Sequence, residues 1–246
     1  MVSDDTASAR RLVVTADDFG LSRAVNRGVE AAATSGVVTS ASLMVRRPHA
    51  ADAVARAAAL PDLSLGLHLE LASYEVRNGH WELSEQLVDL DDDAAIADEL
   101  ATQVDRFVEL VGRLPAHLDS HHHLHREPPV DAVVARVAAA IGAPVRGVGP
   151  WSYCGDFYGQ YGPGTPWPEG ITVEALVGVL DALGPGVTEL ACHPADGVDP
   201  AHGTYDAERV VELSTLTSPQ VRAAVAAAGI ELIGSDRLAQ PKRPET

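Results

Sequence analysis

The stretch LVVTADDFG, residues 12–20, sets the pattern of this sequence, because a short apolar run ends in two adjacent carboxylates and a glycine. Residues 22–35 follow with apolar side chains at helical spacing, so the unit predicts a strand, a turn and a helix. The same alternation of β-like and helix-like segments continues almost to the end of the chain. Repeated βα units predict an α/β fold with a parallel sheet covered by helices, either closed into a barrel or left open.

We expect seven strands, with helices between most of them and no internal repeat. The predicted strands are 12–16, 37–45, 63–69, 116–121, 143–148, 188–192 and 230–233. The predicted helices are 22–35, 49–60, 93–111, 129–141, 173–183 and 219–228. Two insertions, residues 73–92 and 149–170, interrupt the alternation. The second insertion holds more than half of the aromatic residues, which favours a role in binding a flat ligand such as a sugar.

Composition excludes several classes of protein. With 246 residues and 46% hydrophobic residues, we expect a single domain over 1–246, with flexible tails at 1–10 and 240–246. The formal net charge of −17 repels phosphate backbones and anionic lipid head groups, so neither nucleic acid nor a membrane is an expected partner. The absence of a long apolar run and of a signal-peptide pattern predicts a cytoplasmic protein. Ala-rich outer helices are compatible with a homodimer.

Side chains suited to metal binding or proton transfer follow four of the predicted strands. LVVTA is followed by Asp17 and Asp18, and LSLGL is followed by His68. AHLDS runs into a histidine cluster that begins at His121, and ELAC runs into His193. Because the carboxyl ends of parallel strands open on one face of the fold, we expect these side chains to meet there.

Each of these positions also has a structural explanation. Asp17 and Asp18 could cap the helix that follows them. His68 could be a hydrogen-bonded core histidine, and His193, which precedes a proline, could bond to a loop. The internal HHHLH run, directly after a strand, is harder to explain as a solvated surface and favours a metal site.

Strand spacing selects His121 as the ligand within this cluster. His117 lies about 13 Å from His121 on an extended strand, too far for both imidazoles to bind one ion without a bend in the chain. Asp18, His68 and His121 then form a set of three ligands that leaves a position open for water, as in catalytic metal sites. Imidazole ligands suit Zn²⁺ and its transition-metal neighbours better than Mg²⁺.

These residues together form a complete hydrolytic set. A divalent metal ion can lower the pKa of a bound water to about 7. Asp17, beside the metal ligand, could accept the proton of that water as a general base. His193 could protonate the leaving group, with His123 as an alternative donor.

Five segments resemble the YdjC-like carbohydrate deacetylases, a family that includes chitooligosaccharide deacetylase. They are TADDFGLSRAVNRGVEAAATSGVVTSASLMV (15–45), GLHLEL (66–71), HLDSHHHLH (117–125), ACHP (191–194) and GIELIGSDRL (229–238). The matches run in order over residues 12–238, and ADDFG combined with HLDSHHH is highly specific. The resemblance implies a distorted, TIM-barrel-like (β/α) barrel of about seven parallel strands. It also implies a Mg²⁺ or Zn²⁺ cofactor and removal of acetyl groups from N-acetylated amino sugars such as chitobiose units.

The resemblance also implies roles for individual residues. Asp18, His68 and His121 match the family's metal ligands, Asp17 matches its base, and His193 falls near the reacting carbonyl. Further residues expected to contact the sugar are Arg146, Trp151, Phe157, Tyr158, His123 and Glu70. Glu70 stands where many members have a neutral or amide residue, so it would add negative charge near the metal and puts the family's usual substrate preference in doubt.

Two other functions remain open from the sequence. One is a metal-dependent hydrolase of another bond, either a phosphoester or a non-sugar amide. The net charge of −17 argues against a highly anionic substrate. The other is a non-catalytic barrel that binds a metal or a sugar, for which the second carboxylate, Asp17, would have no use.

Overall fold

The computed structural model describes residues 9–238, and a curled sheet of seven parallel strands forms its centre. The strands of this part of the chain are β1 (Arg10–Phe19), β2 (Ser40–Leu43), β3 (Ser64–Leu69), β4 (Ala72–Arg77), β5 (His80–Gln86), β6 (Leu118–Ser120), β7 (Ser152–Cys154), β8 (Gln160–Tyr161), β9 (Thr165–Pro166), β10 (Gly186–Cys192) and β11 (Ile230–Leu232). The helices are α1 (Arg23–Ser35), α2 (Ala50–Ala57), α3 (Asp93–Val111), α4 (Val130–Ile141), α5 (Val173–Ala182), α6 (Ala207–Leu216) and α7 (Pro219–Ala227).

Strand β1 lies in the middle of the sheet. On one edge it pairs with β10, from Arg10 opposite Gly186 to Ala16 opposite Cys192. On its other edge, β11 pairs with its first half and β2 with its second half. Strands β3 and β6 extend the sheet beyond β2, and β7 extends it beyond β10. Because all these pairs are parallel, the carboxyl ends of β1, β3, β6 and β10 lie at the same end of the sheet.

The sheet forms a half-barrel. The α/β class and the parallel sheet are confirmed, but a closed TIM-like barrel is not, because no strand pairing within residues 9–238 joins β6 to β7. The predicted strand 143–148 is wrong, since only Val145 and Val148 form isolated bridges. Gly147 lies between them at φ +71°, a left-handed backbone that cannot continue a strand. The seventh strand of the sheet is instead β7, from the predicted insertion 149–170.

The six predicted helices are all present, with ends that differ by at most a few residues. Helix α3 matches the prediction because its ends are well marked. Asp92 caps its first turn by accepting two backbone N–H bonds, and Gly112 ends it in the left-handed conformation. Helix α6 was not predicted, because the buried charged side chains of Arg209 and Glu212 interrupt its apolar pattern.

The insertion 73–92 contains an antiparallel hairpin, β4–β5. Asn78 and Gly79, both with positive φ, form its turn between the facing residues Arg77 and His80. An Asn-Gly pair between two strands is typical of a two-residue hairpin turn, so the sequence contained a signal for this element. Strand β4 packs against the turn formed by residues 121–126, which follows β6.

The core lies between the sheet and its covering helices and consists mainly of Leu, Val and Ala side chains. Arg10, which falls in a predicted tail, is the first residue of β1. Apart from residues 9 and 10, the predicted tails 1–10 and 240–246 lie outside the described residues. Within residues 9–238, each helix is too short or too polar to cross a lipid bilayer.

Candidate active site

Four strands bring the predicted catalytic side chains to one end of the sheet. Asp17 and Asp18 lie near the end of β1, and His68 lies near the end of β3. His121 directly follows β6, and His193 directly follows β10. All five side chains line one cavity of about 1010 Å³, as the pattern of strand ends predicts.

Two consecutive carboxylates reach this cavity because β1 is irregular near its end. In a regular strand, neighbouring side chains point to opposite faces of the sheet, so only one of the two would face the cavity. The pairing of β1 with β2 shifts register between Ala16 and Phe19, and Asp18 has a left-handed backbone with φ +62°. With this irregularity, both Asp17 and Asp18 line the cavity.

Asp18, His68 and His121 form a cluster that fits a divalent cation. Asp18 Oδ1 lies 3.4 Å from His68 Nε2 and 3.2 Å from His121 Nδ1, and the three candidate ligand atoms lie within 4.8 Å of one another. Asp18 Oδ1 is buried and accepts no hydrogen bond. A buried carboxylate oxygen without a donor, facing two imidazole nitrogens, is suited to binding a metal ion.

Buried neighbours hold these candidate ligands in place. His68 Nδ1 lies 2.8 Å from Asp119 Oδ1, an acceptor, so Nδ1 carries the proton and Nε2 is the nitrogen that faces Asp18. Arg209 donates to Asp18 Oδ2 at 2.6 Å, which leaves Oδ1 to face the two histidines. Burial acts to raise the pKa of Asp18, but Arg209 and the two imidazoles outweigh it and keep this pKa well below its usual range.

Asp17 is held by a bidentate pair with Arg146. Arg146 Nη1 and Nη2 each donate to one Asp17 oxygen at 2.7 Å, and the same guanidinium contacts Asp119 at 2.6 Å and Glu189 at 2.8 Å. Burial acts to raise the pKa of Asp17, but the charge of Arg146 outweighs it, so the pKa lies below its usual value. Asp17 is therefore ionised at neutral pH and able to accept a proton.

Arg146 itself does not reach the cavity wall, where a substrate contact is expected. Its side chain is fully buried behind Asp17, and its guanidinium is surrounded by three carboxylates. A further cluster of the described residues contains His117, Asp119 and Glu189. The Arg146 guanidinium pairs with both carboxylates of this cluster.

His193, which follows β10, also lies close to Asp17. Its Nε2 is 3.8 Å from Asp17 Oδ2, and its Nδ1 is 3.8 Å from Glu212 Oε1. Glu212 is fully buried and also accepts bonds from the Tyr205 hydroxyl and, at 2.5 Å, from the backbone N–H of His193. Burial acts to lower the pKa of His193, but Glu212 and the charges of Asp17 and Asp18 outweigh it and raise the pKa. A protonated His193 is therefore favoured, as a general acid requires.

The other cluster histidines have different partners, because the backbone turns sharply at His122 and His123, both with φ near +55°. His122 Nε2 accepts a hydrogen bond from the Tyr74 backbone N–H at 3.0 Å. His123 lines the cavity, and its Nε2 lies 3.2 Å from the Tyr153 hydroxyl. Burial lowers the pKa of His123 to about 4, so this imidazole is uncharged at neutral pH and is not in the imidazolium form that a general acid needs. His125 bonds to Ser120 at 2.8 Å, away from the candidate ligands.

Of the remaining predicted sugar contacts, Phe157 and Tyr158 line the cavity, but Trp151 and Glu70 do not. Trp151 packs in a separate buried cluster with Val13 and Ile233. Glu70 is buried and forms an ion pair with Arg47, and burial raises the pKa of its carboxyl group.

The side chains that line the cavity and had no role assigned from the sequence include Tyr74, Trp81, Tyr205 and Arg209. Tyr74 and Trp81 belong to the β4–β5 hairpin, which the Asn-Gly turn could have indicated. Arg209 and the adjacent Tyr205 belong to the α6 region, where a buried arginine and glutamate gave no recognisable pattern. Arg209 bonds to Asp18, which lies 191 residues away in the sequence, and the Tyr205 ring contacts His193.

Comparison with known proteins gives a consistent family match. A family model described as YdjC-like protein matches residues 11–227. A carbohydrate deacetylase of Geobacillus stearothermophilus is 34% identical over 245 residues, which cover 91% of this chain and 96% of the relative. A chitooligosaccharide deacetylase of Salmonella schwarzengrund is 34% identical over 254 residues, covering 89% of this chain and 96% of the relative.

Solved structures show the same fold. A protein of Enterococcus faecalis V583, to which cellobiose-phosphate cleavage has been provisionally ascribed, matches with a TM-score of 0.76 and 25% identity. The match covers 95% of this chain and all of that one. A Streptococcus mutans CE4 esterase matches with a TM-score of 0.59 and 15% identity, covering 93% of this chain and 87% of that one. At that low identity the second likeness bears on the fold alone.

Proposed function

This chain belongs to the YdjC-like family, and we propose that it is a hydrolase that removes the acetyl group from N-acetylated amino sugars. The names of the two curated relatives support a sugar deacetylase. The observation that carries the proposal is the cavity where Asp18, His68 and His121 converge, with Asp17 and His193 beside them. This arrangement places three candidate metal ligands, a carboxylate that can accept a proton and an imidazole whose protonated form is favoured around one space.

A divalent metal ion would be held by Asp18 Oδ1, His68 Nε2 and His121 Nδ1. When bound, such an ion polarises a carbonyl oxygen and makes a neighbouring water more acidic. Two imidazole ligands favour Zn²⁺ or a similar transition metal, although Mg²⁺ is the other candidate.

The protein side chains would move the protons of the reaction. Asp17, oriented by Arg146, accepts a proton from the attacking water, whose oxygen forms a bond to the acetamide carbonyl carbon. His193, held in its charged form by Glu212, donates a proton to the amide nitrogen as the C–N bond breaks. The products are acetate and a free amino sugar.

The walls of the cavity fit an uncharged sugar better than a phosphorylated one. Glu75 and Glu85 lie on the wall, and both arginines there are paired with carboxylates, Arg47 with Glu70 and Glu85 and Arg209 with Asp18. Phe157 and Tyr158 provide apolar surface against which a pyranose ring can pack.

The test is release of acetate from a panel of N-acetylated mono- and disaccharides, with Zn²⁺, Mg²⁺ or a chelator present. We expect acetate release that depends on the metal and is absent in His121→Ala, which removes a candidate ligand. Phosphate release from sugar phosphates, without acetate release from any acetylated sugar, would instead support the phosphoester alternative and reject a deacetylase.

A further inference from the structure

The β4–β5 hairpin forms a wall of the cavity, and no proton-transfer group or candidate metal ligand comes from it. Tyr74 and Trp81 line the cavity from this hairpin. They lie on the same face, because Trp81 faces Val76 across the ladder and Tyr74 is two residues from Val76. Trp81 is 47% exposed, so a large aromatic surface at the cavity is left uncovered by the protein.

The position of this aromatic face is tied to the candidate metal site through His122. The Tyr74 backbone N–H donates to His122 Nε2 at 3.0 Å. The rings of Tyr74 and Trp81 both contact the His122 ring edge to face, with centroids 5.5 Å and 5.8 Å away. The His122 ring in turn lies 4.1 Å from the ring of His121, a candidate metal ligand. Two ring contacts therefore connect the indole to the reaction centre, a distance that a disaccharide can span.

The part of the cavity wall around His193 is organised differently. Tyr158 and Tyr205 stack with centroids 4.3 Å apart, and both rings contact His193, the proposed acid. These two rings are thus packed around the acid and limit the space for the sugar that carries the reacting acetamide. The same cavity of about 1010 Å³ is also lined by His122 and the exposed indole, and its wall includes Glu75 and Glu85 as acceptors for hydroxyl groups.

We propose that Tyr74 and Trp81 bind the sugar ring next to the one that is deacetylated, so that the hairpin makes the enzyme prefer disaccharides and longer oligosaccharides to monosaccharides. This role presupposes the deacetylase activity proposed above. The C–H face of a pyranose ring packs on an aromatic ring, and the rim carboxylates accept bonds from its hydroxyl groups.

The test compares Trp81→Ala and Trp81→Phe with the wild-type protein. The measurement is kcat/KM for acetate release from N-acetylglucosamine, N,N′-diacetylchitobiose and triacetylchitotriose. For Trp81→Ala, kcat/KM should fall about tenfold or more on the two longer substrates and stay unchanged on the monosaccharide. Trp81→Phe, which keeps an aromatic ring, should retain most of the activity on all three.

Trp167→Ala is the matched control. Trp167 is 41% exposed, similar to Trp81, but it lies over Gly170 and not on the cavity wall. Its removal should leave the preference for substrate length unchanged. If Trp81→Ala lowers kcat/KM equally for all three substrates, or if the wild-type protein does not distinguish them, the second sugar site is rejected and the deacetylase activity stands.

A binding measurement separates the two proposals further. Calorimetric titration of the metal-loaded Asp17→Asn protein with N,N′-diacetylchitobiose requires no turnover. Tighter binding of the disaccharide than of N-acetylglucosamine, lost when Trp81→Ala is added, supports the second sugar site even if the wild-type protein releases no acetate. Equal binding of the two sugars overturns it.

Discussion

Asp18 combines a strained backbone with a buried carboxylate oxygen that accepts no hydrogen bond. A left-handed conformation at a residue other than glycine costs about 1–3 kcal/mol, and an unpaired buried oxygen adds to that cost. Both features are explained if Oδ1 binds a cation, because it faces His68 and His121 at 3.4 Å and 3.2 Å. The left-handed backbone and the unpaired Oδ1 of Asp18 therefore support a cation-binding role for this residue.

Asp17→Asn tests the proposed base. Asparagine is similar in size but cannot accept the proton of water, so we expect kcat to fall by about 10²–10⁴-fold. Asp17 is not in the candidate ligand set with His121, so the bound metal measured by atomic absorption should be nearly unchanged. His121→Ala is the contrasting variant and should lose both the metal and the activity. Full activity in Asp17→Asn would show that another group is the base.

Glu212→Gln tests the proposed acid through its pH dependence. Glu212 helps to raise the pKa of His193, and an acid must be protonated to act, so the wild-type protein should stay active to higher pH. Removing this charge lowers the pKa of His193, so the alkaline limb of the kcat/KM profile should move to lower pH. At pH 8 we expect a loss of about tenfold.

Glu208→Gln is the control for this shift, because Glu208 lies on the same helix but bonds to Gln160 instead of His193. It should keep the wild-type pH profile. An unchanged alkaline limb in Glu212→Gln would contradict the assignment of His193 as the acid that Glu212 charges.

At the scale of elements, helix α1 connects the end of β1 to a wall of the cavity. Ser22 caps the helix by accepting the Val25 N–H at 3.1 Å. Its hydroxyl also lies 2.8 Å from His202 Nε2, and His202 Nδ1 lies 2.6 Å from Asp206. Because Asp206 accepts from Nδ1, the Ser22 hydroxyl is the donor to Nε2. The N-terminus of α1 therefore holds His202, a residue that lines the cavity.

Ser22→Ala should reduce both stability and activity. Loss of the cap and of the bond to His202 should lower the free energy of unfolding by about 1–2 kcal/mol, measured by urea denaturation. kcat/KM should also fall severalfold, because His202 loses the partner that holds it. Thr172→Ala removes the equivalent cap of α5, outside the cavity, and should cost stability alone. Equal kcat/KM in Ser22→Ala and Thr172→Ala would argue against a contribution of the Ser22–His202 bond to activity.

At the scale of the whole molecule, the cation site exists only in the folded chain, since Asp18, His68 and His121 come from three different strand ends. A ligand that binds the folded state alone stabilises it by about 2.7 kcal/mol at a concentration one hundred times its Kd. For a chain of this size we therefore expect Zn²⁺ or Mg²⁺ to raise the Tm by roughly 5–10 °C.

Differential scanning calorimetry with and without a chelator checks this effect. His121→Ala should show no increase in Tm with the metal, whereas His80→Ala, an exposed histidine on the hairpin, should respond like the wild-type protein. The same increase in Tm in His121→Ala would place the ion elsewhere.

The convergence of the candidate site was predictable from local patterns and one topological rule. Alternating strand and helix segments predict a parallel sheet, and in such a sheet the carboxyl ends of the strands point the same way. Asp17, His68 and His193 could therefore be placed together from the residues at the strand ends. Helix α3 was equally predictable, because its cap and its final glycine are local signals.

Other features depend on partners that are distant in the sequence. Arg146 was expected to contact the sugar, but it is buried because Asp17, Asp119 and Glu189 surround its guanidinium. Trp151 was expected in the cavity, but it packs against residues from both ends of the described chain. Likewise, the sheet stays an open half-barrel because, among the described residues, β6 and β7 do not pair with each other. A pattern of residue types records local preference, whereas burial and ion pairing depend on which remote segments the folded chain brings into contact.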